Sequence, residues 1–141
     1  MELSPRQKRR AVIRWLWIPL CAIVVWYGML ALGLGLHSFA LRFCPKDQIL
    51  SGFCSASWFP TVEHAIIIGC AGLTGLAEVV VAAIVAPMQR VRAAAVVFAI
   101  GVAVALGMVV EAKAYAEFAA AVLGGLIGIF IASRLKQSIE L

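Results

Sequence analysis

Residues Ala65–Pro87 read AIIIGCAGLTGLAEVVVAAIVAP, a run of 23 with a single charged side chain, Glu78. An α-helix needs about 20 apolar residues to cross a hydrocarbon core about 30 Å thick, and this run has that length. Trp15–Leu36, Ala93–Val110 and Ala114–Ser133 repeat the pattern, with charged residues collected between the runs. A soluble domain of 141 residues cannot bury four such segments, because core helices keep a polar stripe and these barely do. The expected fold is all-α: a polytopic membrane protein, a single transmembrane domain over 1–141 built as a four-helix bundle, with an outer loop at 37–64.

Composition agrees with a lipid solvent. Apolar residues make up 64% of the chain and charged residues 13%, where soluble domains carry about 25% charged. Mean hydropathy is +1.02. The net charge of +5 is explained by its placement. Arg6, Lys8, Arg9, Arg10 and Arg14 precede the first span, Arg90 and Arg92 sit between spans two and three, and Arg134 and Lys136 follow the last. The other side holds Arg42, Lys46 and Lys113. Nine basic residues against three put both termini in the cytoplasm by the positive-inside rule. The expected location is the cell membrane, specifically a bacterial inner membrane. The basic cluster suits anionic headgroups, and no nucleic-acid partner is expected. Ser38-Phe39-Ala40 resembles a signal-peptide cleavage site, but the 22 residues of Trp15–Leu36 exceed the usual apolar region of about 7–15. The first span is read as uncleaved. Trp15, Trp17, Trp58 and Phe59 read as aromatic interface anchors.

The connection 37–64 is the one loop with room for structure of its own. Cys44-Pro45 and Ser51-Gly52 are turn signals, and Ile49, Leu50, Phe53, Trp58 and Phe59 are too apolar for a free linker. If this side is oxidising, Cys44 and Cys54 form a structural disulfide. A redox-active pair, a metal site or free thiols are the alternatives. Cys21 and Cys70 fall inside spans and cannot join that pairing. His37 and His64 bracket the loop and read as interface side chains touching headgroups or loop carbonyls. A metal site with Glu63, or a haem-ligating pair, is the sharper alternative. With no further histidine, neither a metal nor any cofactor is assigned.

Span two carries the most chemistry. Glu63, Cys70, Thr74 and Glu78 fall within about 80° of one another at about 100° per residue, so they form one polar stripe. Glu78 precedes Pro87 by about 13 Å of helix, near the bilayer midplane. A carboxylate there is costly and must face protein or water, or stay protonated. It admits three roles: a hydrogen bond between helices or to a partner subunit, ion or proton handling, or contact with a bound ligand or lipid. Every Lys and Arg lies near a span end, so the chain offers it no cation at matching depth.

Small residues mark packing faces: Gly28 and Gly35 on span one, Gly75 on span two, Gly107 on span three, Gly124 and Gly128 on span four. Pro19 falls in the first turns of span one, where proline is tolerated. Spans three and four form one uninterrupted helical pattern by propensity. About 60 Å of apolar helix cannot hide in one bilayer, so a tight hairpin is expected near Glu111–Ala114.

The chain has no glycine-rich phosphate loop, no HExxH and no GxSxG, and no constellation of nucleophile, base and electrophile; no catalytic residue is assigned, and an enzyme is the least favoured reading. Size, four spans and one membrane glutamate are shared with small multidrug transporters. The first span here is uncharged after Arg14 and the loop before span two is far longer, so no family is assigned. More faces carry small residues than one bundle needs. The favoured function is therefore an accessory or assembly subunit packed against partner helices in a larger inner-membrane complex, or a homo-oligomer. The alternative is a small transporter or channel coupled through Glu78.

Overall fold

The computed structural model describes residues 5–50, 52–86 and 89–137. Four helices carry most of them: α1 Pro5–Leu41, α2 Phe59–Val85, α3 Arg90–Ala112 and α4 Tyr115–Gln137. Each holds a segment of 20 to 27 residues long and apolar enough to cross a membrane. Among the described residues no polar or charged side chain is buried, while Leu34 is 61% and Val110 73% exposed. A surface this apolar suits a solvent that is itself apolar, where helices satisfy all their own backbone groups.

The helices overrun the expected spans. α1 begins ten residues before Trp15, so Pro19 lies well inside a helix and not in its first turns. The residues upstream, rich in Arg, Gln, Lys and Ala, are good helix formers. The side chains of Arg6, Lys8, Arg9, Arg10, Arg14 and Lys136 lie outside the described structure, as does Pro87, expected to close span two. α1 also continues through His37 to Leu41, where three successive tight turns end it: the amides of Arg42, Phe43 and Cys44 donate to the carbonyls three residues earlier, and Pro45 follows. α2 starts at Phe59, with Pro60 in the first turn, where its missing N–H costs nothing. The connection therefore shrinks from the expected 37–64 to 42–58, and His37, Glu63 and His64 are helical residues.

Within that connection, a short 3₁₀ turn at Lys46–Gln48 leads into a two-stranded hairpin, β1 Ile49–Leu50 and β2 Phe53–Cys54, paired Ile49 to Cys54 and Leu50 to Phe53. Gly52 at its tip has φ +86°, a conformation open to glycine without a Cβ clash. The Ser55 amide and hydroxyl both donate to the Gln48 carbonyl at 2.9 Å, closing the hairpin base.

The most extensive contact is α2 with α4, and α3 packs against both. α1 lies against α2 and makes only marginal contact with α3 and α4. The arrangement is thus a three-helix cluster with α1 on its flank, more open than the bundle expected. The cause is visible in the glycines. At Gly75 and Gly124 an added Cβ would collide with the carbonyls of Ala121 and Gly72 across the interface, and at Gly128 it would come 2.9 Å from Val79 Cβ. Gly72 and Gly125, not singled out by sequence, complete this seam: a Cβ on Gly72 would reach the Ala120 carbonyl at 3.4 Å, and one on Gly125 would strike the Phe98 ring. By contrast, a Cβ at Gly28, Gly35 or Gly107 would meet nothing within 4 Å. Among the described residues those three do not pack against another helix. α1 uses Gly33 instead, where an added Cβ would stand 3.5 Å from Cys70 Sγ.

α3 and α4 separate at Lys113–Ala114. Lys113 adopts the left-handed conformation, φ 54°, and its amide donates to the Val109 carbonyl at 2.9 Å. This is a helix-ending geometry usually taken by glycine, here occupied by lysine at a cost of about 1–2 kcal/mol.

Candidate functional site

The chemistry-bearing residues collect in two places: the ends of the helices next to the 42–58 connection, called here the loop end, and the middle of α2.

At the loop end Cys44 and Cys54 are disulfide-bonded, with Cα atoms 5.9 Å apart. Both lie buried with Ala40, Ala56 and Phe59. Phe59 is only 3% exposed, so it is a core residue beneath the disulfide and not the interface anchor its sequence position suggested. The tight turn after α1 and the start of α2 at Phe59 direct it inward. Its ring meets His37 edge-on at 5.5 Å and Trp58 at 5.6 Å. The hairpin's outer surface stays apolar, with Phe53 69% exposed.

Two histidine–carboxylate contacts stitch the same end. His37 Nδ1 of α1 lies 3.5 Å from Glu63 Oε1 of α2, and His64 Nδ1 of α2 lies 3.5 Å from Glu117 Oε1 of α4. Glu63 and His64 are neighbours in sequence, so they leave the helix about 100° apart and reach different partners. The two histidines consequently do not converge. Among the described residues no three His, Cys, Asp or Glu side chains gather as a metal site. The partnership of Glu117 was not read from sequence. No local pattern connects positions 53 residues apart, and its only signal is an acid in the first turn of α4.

The polar stripe of α2 is dispersed along the helix. Glu63 faces α1 at His37, and Cys70 faces α1 at Gly33. Thr74 is satisfied within its own helix, its hydroxyl donating to the Cys70 carbonyl at 2.7 Å. Glu78 turns toward α3, where Oε2 lies 4.0 Å from the position a Cβ on Gly101 would take. A side chain at Gly101 would therefore meet the carboxyl group at ordinary van der Waals contact. Among the described residues no basic side chain comes within ion-pair distance of Glu78. As a lone half-buried carboxyl group it can accept or donate hydrogen bonds or carry a proton, and the four stripe residues do not form one site.

Comparison with family models, curated proteins and solved structures finds no match for this chain.

Proposed function

We propose that the chain is a small integral membrane subunit, seated in a bacterial inner membrane with both termini cytoplasmic, that packs against partner helices of a larger complex or against copies of itself. The observation that carries this reading is α1. Among the helices it packs chiefly against α2, and Gly28 and Gly35 leave open space at its surface. Small residues of this kind let another helix approach closely. Purification in mild detergent should yield a species heavier than the single chain, and Gly35→Leu should shift it toward the single chain while helix content is unchanged. A monomeric native protein, or association indifferent to Gly35→Leu, overturns the reading.

The orientation rests on the nine-to-three distribution of basic residues. Reporters fused after Leu141 and inserted at Gln48 should report opposite compartments, the terminal one cytoplasmic. A shared compartment rejects the four-span arrangement.

A second reading, a small transporter or channel, is supported by Glu78, an acid within an apolar span that has no cationic partner among the described residues. The two readings part on substitution. Under the subunit reading Glu78→Gln keeps a donor and acceptor and preserves assembly, whereas Glu78→Leu weakens it by about 0.6–2 kcal/mol per lost interhelical bond. Under transport, Glu78→Gln abolishes proton-coupled flux in proteoliposomes while assembly survives, because an amide does not exchange a proton at neutral pH. If neither variant changes assembly or flux, both roles for Glu78 are excluded.

A further inference from the structure

The chain contains two histidines, and each stands 3.5 Å from a glutamate on a neighbouring helix: His37 of α1 beside Glu63 of α2, and His64 of α2 beside Glu117 of α4. Imidazole is the side chain whose ordinary titration falls near neutral pH, at about 6.5. Both such groups of this molecule therefore sit at contacts between helices, and at the same end. Among the described residues neither glutamate has a lysine or arginine within ion-pair distance, so a histidine is its nearest source of positive charge. The other titratable groups at this end, Arg42, Lys46, Asp47, Glu111, Lys113 and Tyr115, are exposed. None of the charged ones forms an ion pair among the described residues.

At 3.5 Å the nitrogen and oxygen of each pair stand beyond the usual N–H···O separation of about 2.7–3.2 Å, so a neutral imidazole gains little there. A protonated ring gains a charge attraction that still acts at this distance. We propose that the loop end carries a proton-operated clasp: protonation of His37 and His64 turns both contacts into ion pairs that tie α1 and α4 to α2, and deprotonation loosens them. Because the pairing form is the protonated one, its contribution is complete in mild acid and is lost as pH rises through neutrality. Carboxylates ordinarily take up protons themselves below about pH 4.3, so stronger acid opens the clasp again. α1 has the most to lose, since it packs chiefly against α2. With the loop end outside, as proposed above, the clasp reads the pH outside the cytoplasm; its test in detergent is independent of that orientation.

Reversible unfolding of the intact chain in mixed detergent, followed by circular dichroism at about pH 5.5 and about pH 8, on either side of the imidazole midpoint, tests this. The reference is the double variant His37→Gln, His64→Gln. Relative to it, the native chain should gain about fivefold in its folded-to-unfolded ratio at the lower pH, the combined effect of two part-exposed pairs. Glu78 is present in both proteins, so any titration of its own cancels. The double variant His37→Lys, His64→Lys is charged at both pH values and should hold the gain at both. Glu63→Gln with Glu117→Gln leaves the histidines in place and should abolish the gain, which keeps the test open where a histidine variant does not fold. Three results would each overturn the proposal: a native chain that responds to pH as the glutamine reference does or loses stability in acid relative to it, a lysine variant no more stable than that reference, or a glutamate double variant that keeps the native gain.

Discussion

Gly124→Leu is expected to unseat α4 from α2 and to be the most damaging single substitution in the chain. At this position the first carbon of any side chain would collide with the Gly72 carbonyl and stand 3.2 Å from the Leu76 amide nitrogen. Both obstacles are backbone, which cannot rotate aside as a side chain can. The two helices must then move apart, and the neighbouring contacts at Gly75 and Gly128 are lost with them. Overpacking of a filled interior costs about 1–3 kcal/mol and occasionally more; displacement of a whole seam belongs at the upper end. Gly107→Leu is the control. A Cβ there meets nothing within 4 Å, so its effect should stay within about 0.5 kcal/mol, as at ordinary surface sites. Denaturation of both variants in detergent, followed by circular dichroism, reads the difference. Equal stabilities would show that the α2–α4 seam does not hold the fold.

The second large effect is expected from reduction of Cys44–Cys54. The bond closes a loop with a sequence separation of 10, for which chain entropy predicts about 3 kcal/mol, before any strain. The loss should be larger than for a surface disulfide, because both sulfurs lie in the buried cluster around Phe59. Its effect should remain local to the loop end, since the α2–α4 seam is built from other residues. Limited proteolysis of the native chain should become faster between Arg42 and Trp58 on adding reductant. The Cys44→Ser, Cys54→Ser double variant should be cleaved at the fast rate from the start and ignore reductant. Denatured native protein should show two alkylatable thiols, Cys21 and Cys70, and four after reduction. Four thiols without reductant would contradict the bond.

Parts of this molecule are legible one residue at a time, others are not. The four apolar runs and the cysteines at 44 and 54 stand out in the bare sequence. The helix limits do not: hydropathy ends a span where polarity begins, but hydrogen bonding carries α1 on through His37 and starts α2 at Phe59. That shift takes both histidines out of the loop and onto helices. The stripe on α2 shows the same limit. Helical rotation correctly places Glu63, Cys70, Thr74 and Glu78 near one side of a cylinder, yet two neighbouring helices share that side. Glu63 and Cys70 therefore meet α1 while Glu78 meets α3.

Sequence alone determined how many segments are long and apolar enough to cross a membrane, because transfer into lipid is nearly additive over residues and needs no knowledge of neighbours. It also determined which two cysteines stand close enough to pair outside those segments. Tertiary structure alone decided that Gly72, Gly75, Gly124, Gly125 and Gly128 form the seam while Gly28, Gly35 and Gly107 stay open, that α1 lies on the flank, and that His64 reaches Glu117. In lipid no hydrophobic force drives one apolar helix against another. Which faces meet depends on how two whole surfaces fit, and that fit is a property of pairs of helices that no single segment carries.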